Sequence, residues 1–196
     1  VEQRDQFLDQ AAMKLHGPAA AVTSDQLIGR TFEGKTIVAD SQTPGANQIR
    51  LRDYEGGEER IAFPEPTYTV SLGNNPEYAP AAYRLNYASL VTPPTVYDYH
   101  PADDRLETLK VQRIPSGYDP TQYVSERITV PTRDGRQLPV SIVYRRGFER
   151  NGQGKLFLYA YGAYGFAYPP GFNTNPLSLL VRGYAFATAH IRGGDR

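Results

Sequence analysis

Few residues in this chain have the types and spacing that covalent chemistry needs. Acyl transfer through a serine calls for a hydroxyl on a tight strand-to-helix elbow, flanked as Gly-x-Ser-x-Gly, with an acid and then a histidine downstream. The serines are Ser24, Ser41, Ser71, Ser89, Ser116, Ser125, Ser141 and Ser178. None has that flanking; Ser71 comes nearest, with Gly73 after it but Thr69 before it. The histidines are His16, His100 and His190. His100 stands beside Pro101 in an expected turn, and His190 lies in or just after an expected buried strand. Each reads as a structural imidazole bonded to backbone. The histidines stand far apart, with no His-Glu-x-x-His, and there is no Cys, so no metal site, disulfide or cofactor is expected. The Gly-Ala-Tyr-Gly run ending at Gly165 lacks the lysine and spacing of a phosphate loop. On pattern alone, Tyr159, Tyr161 and Tyr164 are packing aromatics at a strand end.

Two stretches must position whatever chemistry there is. Leu156 to Gly165 is an apolar run that breaks into glycines, and Gly183 to Gly194 repeats that shape. Such runs suit strands buried on both faces. Between them, Pro176 and Gly183 bracket room for a short helix. Strand, helix, strand is a βαβ unit, which implies a sheet with helices over its faces.

The rest of the chain reads differently. Phe7, Leu8, Ala11, Ala12 and Leu15 share one helical stripe, so residues 2–15 are either a short amphipathic helix or a poorly ordered end. From Thr31 to Gln112, short strands are expected at Thr36–Asp40, Gln48–Asp53, Glu59–Phe63, Tyr68–Leu72, Tyr83–Ser89, Thr95–Tyr99 and Leu106–Gln112. Turn residues such as Thr-Pro-Gly and Asn-Asn-Pro separate them. That pattern means an antiparallel sandwich, barrel or propeller, and composition does not choose among these. Pro115 to Pro120 is a linker by composition. Beyond it, Val124–Val130 and Leu138–Tyr144 flank a turn in which Asp134-Gly135 is a hairpin signal.

Several of these segments resemble, in the same order, the prolyl oligopeptidase family, and its oligopeptidase B branch most. They are Tyr68 to Tyr78, Ser89 to Tyr99, Tyr123 to Ile128, Thr132 to Gly135, the Tyr159-Ala160-Tyr161-Gly162-Ala163-Tyr164-Gly165 run and His190 to Gly194. The resemblance covers roughly residues 36–196. It implies β-propeller blades followed by the N-terminal part of an α/β-hydrolase domain. The implied divisions are an unassigned segment over 1–30, the last propeller blades over 31–117, and the first strands of the peptidase domain over 118–196, truncated before the catalytic serine. The absence of an initial Met adds to the expectation of an internal fragment. The family's Ser, Asp and His would then lie beyond Arg196. One catalytic group is implied within the chain: the phenol of Tyr161, second tyrosine of the Tyr-x-Tyr-Gly motif, as an oxyanion-hole donor. Ala160 stands where the family usually has Gly. The acidic residues of the oligopeptidase B loop are replaced by Pro169, Pro170 and Gly171. Arg192 is read as an ion-pair partner or a binding group, and Asp195 has no assigned role.

The expected function is therefore part of a serine oligopeptidase that hydrolyses short peptides after Lys or Arg, with no activity in this chain alone. The alternative is a non-enzymatic β-rich binding or scaffold module with a degenerate hydrolase half. The expected partner is a short peptide. Balanced charge, with 21 basic and 21 acidic residues, favours neither nucleic acid nor an anionic membrane. No apolar run is long enough for a helix to span a bilayer. A cytoplasmic location is expected, with a periplasmic one kept open.

Overall fold

In the computed structural model, the structure describes residues 26–32, 35–43, 46–53, 57–77, 80–164 and 166–193. The expectation for residues 2–15 lies outside the described residues, as do Gly165, Gly194 and Asp195. Two four-stranded antiparallel meanders come first. One joins β1 (Gln26–Phe32), β2 (Lys35–Thr43), β3 (Ala46–Asp53) and β4 (Glu58–Arg60). The other joins β5 (Tyr68–Leu72), β6 (Tyr83–Ser89), β7 (Thr95–His100) and β8 (Arg105–Val111). β1 is not among the strands expected from the sequence; the others were, within a few residues.

The meanders form because their strands alternate. In β6, Tyr83, Leu85, Tyr87 and Ser89 point inward, with Arg84 and Asn86 in solvent. Ile49 and Leu51 from β3, Ile61, Val70 from β5, the β6 residues and Tyr99 from β7 close one core between the two sheets. Phe63, Tyr68, Tyr87 and Tyr97 pack ring on ring at its margin, with centroids 5.0–5.6 Å apart. Glu65 accepts hydrogen bonds from the Tyr87 and Thr92 hydroxyls there.

A third sheet follows, in the order β11 (Lys155–Ala160), β14 (Tyr184–Ala189), β10 (Gln137–Arg145), β9 (Tyr123–Pro131). The β9–β10 hairpin turns through Asp134-Gly135 as expected, with Gly135 at φ +77°. β11 and β14 run parallel, joined through the two-residue strands β12 (Gly162–Ala163) and β13 (Phe166–Ala167) and the helix α1 (Leu177–Val181). Pro176 caps that helix and Gly183 ends it at φ +81°. Val91, Tyr123, Val143 and Leu180 form the core where this sheet and helix meet the second meander. The linker is anchored at the same place: Tyr118 donates to the Val91 carbonyl at 2.6 Å and stacks on Tyr123.

Two expectations need correction. Regular structure among the described residues is almost all β, and the expected N-terminal part of an α/β-hydrolase domain is not present among them. That architecture requires several parallel strands with helices on both faces, and the described residues hold one parallel pair and one five-residue α-helix. The apolar run of β11 is also not buried on both faces. It is an edge strand with Leu156, Phe157 and Leu158 at 53%, 46% and 59% exposure. β14, which lies between β11 and β10, does carry buried Ala185, Ala187 and Ala189.

The buried phenols make an alkaline limit. Burial, then the hydrogen bond to Glu65, pushes Tyr87 well above the usual 10.0; burial does the same to Tyr118, and burial followed by Asp104 to Tyr99. A raised folded value means that the unfolded chain releases its protons first as pH rises. These groups' contribution is therefore full below about pH 10 and lost above it. Tyrosinate absorbance should rise together with loss of strand signal in circular dichroism. A complete titration near pH 10 with the strands intact would contradict this.

Candidate functional site

The parallel register decides the geometry. Lys155 pairs with Tyr184 and, five residues on, Ala160 with Ala189. Both strands therefore end at the same level, and the segments that follow them, Tyr161–Tyr164 and His190–Gly193, lie side by side. They touch through glycine. A Cβ on Gly162 would lie 2.6 Å from the Arg192 carbonyl oxygen, and one on Gly193 would lie 2.3 Å from the Gly162 carbonyl oxygen. Gly193 is also at φ +95°, a region that favours glycine. Gly162 and Gly193 thus have one shared cause, the close approach of two loop backbones.

The three tyrosines of the first loop have different surroundings. Tyr159 packs edge-on against Tyr168, with centroids 4.8 Å apart. Tyr164 sits at the tip of the β12–β13 turn at φ +57° and is 98% exposed. Tyr161 lies between these extremes at 37% exposure, its ring edge-on to Phe166 at 6.0 Å. The Tyr161 hydroxyl forms none of the hydrogen bonds found among the described residues, which leaves its proton available to donate.

His190 is not simply bonded to backbone. Its backbone N–H donates to the Pro139 carbonyl at 3.0 Å, while its ring Nε2 lies 2.8 Å from Ser141 Oγ. Ser141 Oγ in turn lies 2.7 Å from Thr67 Oγ1. A Ser–His contact of this length has the spacing of a nucleophile and its base. Ser141 is, however, 0% exposed in the middle of a strand, so no substrate reaches it. No local pattern announces this contact, because its partners are 49 and 74 residues apart in sequence.

The other polar residues singled out in the sequence, His100 and Arg192, lie in side-chain pairs. His100 meets Glu107 across the β7–β8 pair at 3.0 Å. Arg192 pairs with Asp134 of the β9–β10 turn at 2.8 Å, the ion-pair alternative of the sequence reading. The Thr132 hydroxyl and then Arg192 hold Asp134 below the usual carboxylate range. Both partners are largely exposed, so the pair contributes little to stability. Pro170 is buried, and Phe172 packs edge-on against Tyr118 at 5.1 Å, so the loop holding Pro169, Pro170 and Gly171 serves packing. A cleft of about 440 Å³ between the Arg145–Gly154 loop and α1 includes none of the site residues. Among the described residues no cluster of His, Cys, Asp or Glu could hold a metal ion.

Residues 23–112 match the family described as prolyl oligopeptidase, N-terminal beta-propeller domain. The chain belongs to the prolyl oligopeptidase family. The two meanders are accordingly blades of its β-propeller. Similarity extends past the matched region. The chain is 37% identical over 165 residues to dipeptidyl aminopeptidase BI of Pseudoxanthomonas mexicana, covering 84% of this chain and 22% of that protein. It is 32% identical to protease 2 of Moraxella lacunata, covering 84% of this chain and 24% of that one. Among solved structures, oligopeptidase B from Leishmania major superimposes with a TM-score of 0.70 at 30% identity, over 84% of this chain and 24% of that chain. The chain thus spans under a quarter of the length of these curated relatives.

Proposed function

We propose that this chain works within a longer serine oligopeptidase of the prolyl oligopeptidase family, cleaving short peptides, with Tyr161 as a donor to the oxyanion. The observation that carries the reading is the abutment of the Tyr161–Gly162 loop on the His190–Gly193 turn at the ends of two parallel strands. Catalytic groups of open sheets with parallel strands gather at that end. A half-exposed phenol with an unspent hydroxyl proton there suits a donor aimed at developing negative charge. Chemistry by Ser, Asp and His would come from the rest of the protein. A preference for cleavage after Lys or Arg follows from the oligopeptidase B likeness, while the packed, carboxylate-free loop at 168–172 argues against selection of a second basic residue.

The chain by itself, lacking a Gly-x-Ser-x-Gly elbow, should neither hydrolyse peptide amides nor bind a serine-directed fluorophosphonate. The full-length protein should do both, and should cleave Lys- or Arg-amide substrates fastest. Stoichiometric labelling of the isolated chain would contradict the first claim. Absence of labelling and turnover in the full-length protein would instead support a β-rich binding module.

A further inference from the structure

Three buried polar residues at the junction of blade and mixed sheet are not explained by stability. Thr67, Ser141 and His190 are 0%, 0% and 9% exposed, and apolar residues would fill the same space with no polar group to desolvate. Their hydroxyls and imidazole instead bond in series at 2.7 and 2.8 Å. A buried hydrogen-bonded chain of this kind fixes direction and distance where apolar packing allows sliding.

We infer that Thr67, Ser141 and His190 form a relay that positions Tyr161, and the inference rests on the oxyanion reading of that residue. Thr67 immediately precedes β5 of the second blade, Ser141 lies within β10, and His190 directly follows β14. His190 is held through its ring by Ser141 and through its backbone N–H by Pro139. The turn it begins carries Arg192 and Gly193, which meet Gly162 with no room for even a methyl group on either glycine. A displacement of His190 therefore passes to Gly162 and to its neighbour Tyr161. The Tyr161 ring has little else to hold it: it is partly exposed and has one aromatic neighbour. An oxyanion donor tolerates errors of only about 0.5 Å. The exposed Arg192–Asp134 pair touches the same turn but is too weak to set it. These three are positioning residues, since none reaches substrate.

The test uses the full-length peptidase and a peptide amide substrate, with kcat expressed per titrated active site. Ser141→Ala should lower kcat about ten- to a hundred-fold, as misplacement of a catalytic group does, with KM within a few-fold. Thr67→Val, which keeps the shape and removes the hydroxyl, should act in the same direction should Ser141→Ala fold poorly. Thr67→Ser should restore the rate. In a Tyr161→Phe background, Ser141→Ala should cost nothing further, because both act through one hydroxyl. A purely structural role would lower the melting temperature and the titratable fraction while leaving kcat per site unchanged. That outcome, or full additivity with Tyr161→Phe, overturns the relay alone. Should Tyr161→Phe itself keep full kcat, the oxyanion reading fails and the relay falls with it.

Discussion

Tyr161→Phe should lower kcat of the full-length peptidase by about 10²–10³-fold, the loss typical of one oxyanion-hole donor, or roughly 3–4 kcal/mol. The substitution removes one hydroxyl and leaves the ring. The edge-on contact with Phe166 should survive, so the melting temperature should stay nearly constant. KM should stay within a few-fold, because the hydrogen bond strengthens only as charge develops in the transition state. Tyr159→Phe and Tyr164→Phe are the controls. Tyr159 is committed to packing on Tyr168, and Tyr164 points into solvent from a turn. Steady-state kinetics of the three variants separates the roles. Near-normal kcat in all three would make Tyr161 a packing residue.

The second large effect is expected from the glycine contact. Gly193→Ala places a Cβ 2.3 Å from the Gly162 carbonyl oxygen and holds alanine at φ +95°. Clash and backbone strain add, so the loss should reach about 2–5 kcal/mol, from overpacking at roughly 1–3 and left-handed backbone at roughly 1–2. Gly152→Ala isolates the second part. Gly152 is at φ +81°, with nothing within 4 Å of an added Cβ. It should cost only about 1–2 kcal/mol. Thermal or urea unfolding should therefore rank Gly193→Ala well below Gly152→Ala. Equal losses would show that the two loops are not pressed together. Gly162→Ala carries the same clash from the other side without the φ strain, and should also reduce kcat through its neighbour Tyr161.

Much of the fold was legible because strand chemistry is local. β5 and β6 match their expected limits, since alternating aromatic and polar residues end at Gly73 and at the Thr92-Pro93-Pro94 turn. The β9–β10 hairpin follows from Asp134-Gly135, and α1 from Pro176 and Gly183. β1 was not legible: Gln-Leu-Ile-Gly-Arg-Thr-Phe interrupts its alternation with Gly29 and draws its strand state from pairing with β2. Nor could an apolar run tell an edge strand from an interior one. Leu156–Leu158 and Ala185–Ala189 have similar hydrophobicity, but only the second stretch has neighbours on both sides.

The site divides along the same line. The glycines announced a tight backbone, yet the partner each one approaches is set by the parallel register of β11 and β14. Tyr161 was singled out through the family likeness, because three tyrosines at a strand end look alike until their surroundings are known. Nothing in the sequence joined Thr67, Ser141 and His190. Each looks ordinary in its own strand or loop, and only the docking of the blade onto the sheet joins them.

The role of Tyr161 is tested most directly by a structure of the full-length peptidase holding a peptide aldehyde at its catalytic serine. The Tyr161 hydroxyl is expected about 2.7–3.1 Å from the hemiacetal oxygen that stands for the oxyanion. A Tyr161 hydroxyl turned away from that oxygen, with another group donating in its place, would contradict it.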